Sequence, residues 1–368
     1  MERSKNAAVV VLFFVIVFGF FLSNLFSPSR EFSLSERRAL SQLPPFSFKA
    51  LLNGDWFAGL EKYAADQFVF REAFRTLKSL IGFKIFRQKD INGYYKINDH
   101  IFETEYPLSE SSVLRAARKF NDLYDAYLQG MRVFYAIIPD KNYYAAQKHG
   151  YLALDYGRLE EIMVNNMQRM YYISLFDCLS LDNYYRTDLH WRQECLGPVV
   201  ERISREMGFS RDFLAVEYRQ RVTYPFYGAY YGQYALPHPP EKLVYLTNET
   251  IEQATVSHFG GDYPQTVYDT EKFGGMDSYD LFLSGPTALV RIENPCALTD
   301  RELIIFRDSF GSSLAPLLIP EYKKITLIDL RYMAASKLGE LVDFGLQDVL
   351  FLYSTIILNN SETLFRGE

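Results

Sequence analysis

The chain is poor in the residues that announce a metal or redox centre. It holds five histidines and three cysteines in 368 residues. Cys178, Cys195 and Cys296 form no CxxC pair and no zinc-ligand spacing. Three thiols leave room for one disulfide outside the cell, but the spacing selects no pair, and buried thiols are the default expectation. His149, His238 and His258 are scattered along the chain, so no metal cluster is expected. Also missing are the G-x-S-x-G elbow, the phosphate-binding P-loop and the H-E-x-x-H zinc motif. Basic charge is in deficit: Lys plus Arg number 39 against 45 for Asp plus Glu, a net charge of -6. Without a broad basic footprint, nucleic acid is not an expected partner. There is no sequence repeat, heptad array or low-complexity segment.

What the chain does have is aromatic bulk, with 28 Tyr and 30 Phe making the aromatic share 16%. Hydrophobic residues at 48% and charged residues at 23% place it among globular proteins, long enough for one large domain or two smaller ones. Residues 7–26 form one uncharged run, AAVVVLFFVIVFGFFLSNLF. As a helix it would span roughly 30 Å, the thickness of a bilayer's hydrocarbon core. A cleaved signal peptide is the competing reading, but the run exceeds the usual apolar region and no small-x-small site follows Leu22. Arg3 and Lys5 precede the run, partly offset by Glu2, and a short N-terminal tail favours a cytoplasmic N-terminus with the rest outside. Beyond residue 29 there remain 37 basic and 44 acidic residues, a charge of -7 that does not draw the chain to an anionic lipid surface.

Three regions follow from the pattern: 1–29 as tail and anchor, 30–129 as a neck and helical region, and 130–368 as an α/β domain. Helices are expected over 51–65, 71–86, and from Ser109 or Ser111 to about Gln129. A hairpin-like element is expected at 94–97 with 101–104. β-Branched and aromatic runs predict strands at 131–138, 172–176, 302–306, 325–328 and 348–353, with helices near 158–171 and 337–344. That alternation argues for a mainly parallel sheet. Residues 218–300 form an irregular Tyr-, Gly- and Pro-rich insertion, with short strands expected at 244–246, 266–268, 280–283 and 288–293.

Two blocks carry the candidate chemistry: Thr187-Asp188-Leu189-His190-Trp191 and Arg307-Asp308-Ser309-Phe310. Ser309 follows an apolar strand, where a carboxyl-end turn exposes a hydroxyl above an open α/β sheet. Hydrolysis or acyl transfer needs such a hydroxyl beside a base, and a third group to orient that base. His190 can accept and return a proton near neutrality, and Asp188 is two residues away. Bland readings stand beside these. Ser309 or Asp308 is equally a helix N-cap, and Asp188 caps a helix starting near Trp191. His190 alone reads as a packed or surface histidine. Arg331 is either a site residue or the partner of Asp329. Tyr230 and Tyr231 either stack on sugar faces or pack in the core, and Lys141 lines the cleft or faces solvent.

The chain resembles the DHHW family of surface proteins, related to the alginate O-acetylation proteins and the wider SGNH hydrolase superfamily. The residues that carry the resemblance are the N-terminal anchor, Ser35-Glu36-Arg37-Arg38-Ala39-Leu40, Asp66-Gln67-Phe68 and Arg186-Thr187-Asp188-Leu189-His190-Trp191. Asp308-Ser309-Phe310 and Asp329-Leu330-Arg331-Tyr332 complete the series. Leu189 stands where the family has its first histidine, while the second remains as His190. The resemblance implies a three-layer, flavodoxin-like α/β fold, circularly permuted so that Asp188 and His190 precede Ser309, behind a transmembrane helix. It implies Ser309 as nucleophile, His190 as base and Asp188 as its orienter, with no cofactor and no metal. Arg331, Ser354, Arg307, Lys141, Tyr230 and Tyr231 are then candidates for oxyanion or substrate contacts, beside the backbone N–H of Ser309. The implied function is an anchored, extracytoplasmic acylesterase or O-acetyltransferase acting on a cell-envelope glycan, with a membrane acyl-donor protein as a partner. The alternative is a non-catalytic glycan-binding or scaffold protein on the same fold, motivated by Leu189 and Arg307. A third reading is surface assembly through the Tyr-rich region.

Overall fold

The apolar, β-branched runs of the sequence lie side by side. Strands β1 (Arg132–Ile138), β2 (Tyr171–Ser174), β3 (Thr255–His258), β4 (Leu289–Glu293), β5 (Glu302–Arg307), β6 (Lys324–Ile328) and β7 (Asp348–Ser354) form one seven-stranded sheet. Their order is β2-β1-β7-β5-β6-β4-β3. The first five in that order are parallel, and β4 runs antiparallel to both β6 and β3. Read from β5 onward and resumed at β1, the parallel strands follow the order 2-1-3-4-5 of a flavodoxin-like, doubly wound sheet. The structure is a computed structural model that describes residues 2–261 and 265–365. The side chains of Glu2 and Arg3, which enter the charge asymmetry at the apolar run, lie outside the described residues.

Alternate residues of each strand enter opposite cores, as the two-residue period of a strand requires. Val133, Tyr135, Ile137, Ile304, Phe306, Val349 and Phe351 pack under the helices Glu110–Leu123 and Tyr156–Asn166. Phe134, Ala136, Ile138, Leu303, Ile305, Leu350 and Leu352 pack under Gly197–Met207 and Phe310–Leu318. The result is three layers, with the sheet buried on both faces. Each such Leu, Ile or Phe contributes about 1.5–3 kcal/mol by leaving water, which fixes register as well as stability.

The 218–300 stretch departs from expectation in instructive ways. The segment 280–283 is not a strand: Ser278–Leu281 is a 3-10 turn whose first amide donors meet the Asp277 side chain, which accepts from Tyr279 N at 2.8 Å. Residues 266–268 form no strand either, and the neighbouring contacts are isolated bridges of Val256 with Gln265 and Tyr268 with Phe282. Leu289–Glu293, by contrast, is a strand and joins the main sheet as β4. Arg219–Phe226 and Glu241–Thr247 pair as a separate antiparallel hairpin. The helix expected over 51–65 is split into Phe48–Leu52 and Asp55–Gln67 by Gly54, whose φ of 86° no helix allows. Cys178 and Cys195 are half-buried and Cys296 is exposed, so they are not the buried thiols expected, and all three are free.

The chain divides into two compact units, Met1–Ile91 with Gly232–Pro237, and Asn92–Tyr231 with His238–Glu368. In the first, the apolar run lies in the helix Glu2–Phe26, of which Ser4–Phe26 is long and apolar enough to cross a membrane. Its 23 residues rise about 35 Å. The same unit brings the two early motif segments together. Arg38 donates to both Asp66 oxygens at 2.9 and 2.5 Å, and Arg71 and Arg75 bracket Glu36 at 2.5 and 3.3 Å. Burial pushes Glu36 up, but the Arg71 hydrogen bond and the charges of Arg75, Arg71 and Arg38 outweigh it and hold the carboxyl below its usual range.

Candidate active site

Ser309 stands where β5 gives way to the helix Phe310–Leu318, at the carboxyl edge of the sheet. It occupies the N-cap position, yet its side chain makes no cap hydrogen bond. The turn is held by Asp308 instead: Oδ1 accepts from Phe310 N at 3.0 Å and Oδ2 from Ser354 N at 2.8 Å. The serine hydroxyl is thereby left for another partner. That partner is His190, whose Nε2 lies 2.7 Å from Ser309 Oγ. On the other side of the ring, Nδ1 lies 2.6 Å from Asp188 Oδ1, which also accepts from His190 N at 3.0 Å. A carboxylate on Nδ1 keeps the proton there and leaves Nε2 as the acceptor facing the hydroxyl. Asp188 and His190 are buried and Ser309 is half-buried.

The loop that carries Asp188 and His190 is a tight return between Tyr184 and Trp191, which bridge as antiparallel neighbours. Four further groups fix it. The Glu241 carboxylate accepts from Arg186 N, Thr187 N and Thr187 Oγ1, each at 2.8 Å. Gly228 N donates to Thr187 Oγ1 at 2.9 Å, Ala229 N to Asp188 Oδ2 at 2.7 Å, and Tyr230 N to Thr187 O at 2.9 Å. Lys141 Nζ, fully buried, donates to the carbonyls of Tyr185, Arg186 and Asp188 at 3.1, 3.3 and 2.7 Å. Burial pulls this ammonium down to about 7, against the opposing charges of Asp188, Glu241 and Asp140. Finally, Tyr279 lies flat on the His190 ring, centroids 3.8 Å apart and planes within 6°. Tyr279 Oη and Trp191 Nε1 both donate to Ser313 Oγ, at 2.7 and 2.8 Å.

Asp188, His190 and Ser309 thus come together from positions 119 residues apart. The other candidates do not join them at an open surface. Lys141 does not line a cleft; its ammonium is consumed by the carbonyls of the loop. Arg307 is 1% exposed, with Nη1 3.4 Å from Asp308 O and 3.7 Å from Asp329 Oδ2, so no substrate rests on it. Burial holds its pKa below the usual arginine value. Arg331 is taken up by Asp329, donating from Nε at 2.9 Å and Nη2 at 2.6 Å. Ser354 is buried and caps the helix Thr355–Asn359, with its amide on Asp308. Tyr230 is a buried ring under the Lys141 ammonium, 5.0 Å from its centroid. Tyr231 is half-buried against Tyr227, with ring centroids 4.5 Å apart.

Glu241, Gly228 and Tyr279 are positioning residues that the sequence reading missed. All three lie in the irregular 218–300 stretch, where no periodicity marks a residue as facing the site. A cavity of about 650 Å³ lined by Tyr184, Arg186, Arg192 and Glu241 backs onto the same loop but includes none of Asp188, His190 and Ser309. Among the described residues no group of His, Cys, Asp and Glu is placed to hold a metal ion.

No protein-family model matches the chain, and no curated protein matches it. Solved structures do. A DHHW family protein from Eubacterium siraeum superposes with a TM-score of 0.59 at 19% identity, over 75% of this chain and 95% of that one. Bacillus cereus PatB1, solved with a sulfonyl adduct, superposes with a TM-score of 0.60 at 16% identity, over 76% of this chain and 99% of that one. At such identities the likeness is one of fold alone, a mixed α/β fold shared with those structures.

Proposed function

We propose that the protein is a membrane-anchored, extracytoplasmic serine acylesterase or O-acetyltransferase acting on a cell-envelope glycan, on a circularly permuted SGNH-type domain. The observation that carries this reading is the chain of contacts from Asp188 through His190 to Ser309, at 2.6 and 2.7 Å. Ser309 Oγ attacks the carbonyl carbon of an acyl ester while its proton passes to His190 Nε2. The imidazolium so formed is stabilised by Asp188. The backbone N–H of Ser309, at the head of the helix, faces the developing oxyanion. Collapse releases the alcohol, which takes the proton from His190, and leaves an acyl-serine. Water or a sugar hydroxyl then attacks that ester, giving its proton to His190, and the serine is restored when Oγ takes the proton back. Water makes the enzyme an esterase; a sugar makes it a transferase.

The apolar helix supports a membrane anchor; on this reading the N-terminus lies in the cytoplasm and the catalytic unit outside, where envelope glycan and a membrane-bound acyl-donor protein are the partners. No cofactor is needed for this chemistry. The test is acetate release from a small aromatic acetate ester by the full-length protein in detergent, wild type against Ser309→Ala. Loss of activity to the level of buffer in the variant, and covalent labelling of wild type alone by a sulfonyl fluoride, are the expected results. Equal turnover by both proteins would remove Ser309 from the chemistry.

A further inference from the structure

We infer that the helix Arg71–Lys84, with the turn before it, is a second membrane contact. It lies along the bilayer interface at which the N-terminal helix ends and presents its exposed face to phospholipid. This rests on the anchor reading of Ser4–Phe26 and stands apart from the chemistry at Ser309.

The helix is built inside out for an element bathed in water. Phe74, Leu77 and Leu80, three residues apart, form a stripe on its outer side. Phe70 stands just before the helix, and Ile85 and Phe86 just after it. All six are between 43% and 71% exposed. The covered side is polar instead: Ser79 and Gly82 are buried, and Arg71, Glu72, Arg75 and Thr76 are half-buried. The charges there are answered. Arg71 meets Glu36, Ser35 Oγ donates to Glu72 Oε2 at 2.9 Å, and Arg75 Nη2 donates to Gly232 O at 2.7 Å. Phe83 is the one large apolar side chain on that side, against Tyr234 with ring centroids 5.3 Å apart. A surface helix in water turns its apolar stripe to the core. This one turns it to the surroundings, as a helix lying in a membrane interface does.

The N-terminal helix identifies what covers the stripe. Phe20 stacks on Phe68, centroids 5.6 Å apart and planes within 22°, and meets Phe74 at 5.8 Å. Phe74 is therefore shared between the stripe and the anchor. Phe20 stands about 9 Å short of the last helical residue, Phe26. The apolar helix of about 35 Å exceeds a hydrocarbon core of roughly 30 Å by about 5 Å. Even with all of that excess at this end, Phe20 stays about 4 Å inside the hydrocarbon, and its ring partners with it. The turn is fitted for that depth. Asn24 Oδ1 accepts from Val69 N at 3.0 Å, so the anchor itself satisfies a backbone donor of the non-helical turn. Charge agrees. Lys78 and Lys84 on the helix are exposed, as are Arg87 and Lys89 after it beside one exposed acid, Asp90. The helix's own acid, Glu72, is held on the covered side by Ser35 and Arg75. Exposed cations beside exposed apolar side chains fit a layer of lipid phosphates above acyl chains.

The experiment places full-length protein in phosphatidylcholine–phosphatidylglycerol nanodiscs, one copy to a disc, so that no second copy covers the stripe. A phosphatidylcholine with a diazirine in the upper part of one acyl chain is activated by light, and labelled peptides are mapped by mass spectrometry. We expect label on residues 4–26 and also on 68–86. Each leucine withdrawn from lipid gives up about a tenfold partition or more. The double variant Leu77→Gln, Leu80→Gln should therefore lose label on 68–86 by roughly tenfold and keep it on 4–26. Its melting curve and its hydrolysis of the small aromatic ester in detergent should be those of wild type. Leu77→Trp with Leu80→Trp should keep the label on both segments. Label confined to 4–26 overturns the inference and leaves the anchor standing, whereas label on neither segment overturns both. Equal label on 68–86 in wild type and the glutamine variant would also overturn it. So would a segment shielded from the lipid probe but cross-linked to its own copy in vesicles, which assigns the face to a second chain.

Discussion

Replacing Gly228 by alanine should disable the site without touching a reacting atom. A Cβ at Gly228 would lie 2.3 Å from Asp188 Cβ, 2.4 Å from Thr187 O and 2.5 Å from Asp188 N. Ordinary contact begins at 3.4 Å, so the two segments must separate by about 1.1 Å. None of the three atoms belongs to a flexible side-chain tip, and Thr187 is held by Glu241 on its far side. The movement therefore falls on Asp188. Its 2.6 Å contact with His190 Nδ1 opens by a comparable amount, past hydrogen-bonding distance. A misplacement of that size costs roughly 100-fold in rate, or about 2.7 kcal/mol of barrier. Overpacking adds about 1–3 kcal/mol of lost stability. The assay is kcat and KM on the aromatic acetate ester together with a thermal melt, with Ala229→Gly as the neighbouring control. We expect kcat to fall and KM to change little in Gly228→Ala. Wild-type kcat in a variant that melts as wild type would refute the claim that the 228–230 segment sets Asp188.

Three related substitutions probe the rest of the support. Lys141→Met removes the ammonium donor from the Tyr185 and Asp188 carbonyls, while Arg186 O keeps Ile101 N at 2.7 Å, and should cost about 3 kcal/mol at neutral pH, read from urea midpoints. The lysine falls from an ordinary 10.5 to about 7 on folding. Below pH 7 both states hold the proton and the full burial penalty remains. From 7 to 10.5 the unfolded state binds more protons, so this group's contribution rises with pH. The stability gap between wild type and Lys141→Met should accordingly widen from pH 6 to pH 9; a constant gap would contradict it. Tyr279→Phe keeps the stack on His190 and loses only the bond to Ser313, for about 1 kcal/mol of stability and near-normal kcat. Tyr279→Ala uncovers the imidazole and should lower kcat at least tenfold, and an equal kcat in the two variants would remove the stacking argument.

The strands were readable because each is a short run of β-branched and aromatic residues buried on both faces. Such a run looks the same in any sequence context. The expected 302–306, 325–328 and 348–353 differ from the observed strands by a residue at one end. Ser309 was a candidate because it follows the 302–306 strand run at the carboxyl edge, and Asp188 and His190 because a carboxylate stands two residues from an imidazole in the Thr187–Trp191 block. What surrounds them was not readable. Ser354, Arg331 and Lys141 carry the right functional groups, but whether a polar side chain faces a cleft or closes a loop depends on neighbours distant in sequence. Arg331 found Asp329 and Lys141 found three carbonyls. The irregular stretch misled most, since Asp277 turned an apparent strand at 280–283 into the 3-10 turn that brings Tyr279 onto the histidine.

The rotated strand order has a consequence for how the molecule is made. Within the sheet β1 pairs with β7, and at the carboxyl end of that pair Asp140 N donates to Thr355 Oγ1 across 215 positions of chain. Closing a loop of that length costs about 5 kcal/mol before any contact repays it. β2 can cover one edge of β1 early, but the other edge must wait unpaired through the synthesis of everything up to β7. During that time its free edge and that of β5 are templates for pairing with other chains. A product ending before β7 would thus have its sheet broken between β1 and β5, with two sticky edges. Such a product should aggregate rather than survive as a weakened enzyme, and nascent chains need shielding until residue 354 has emerged.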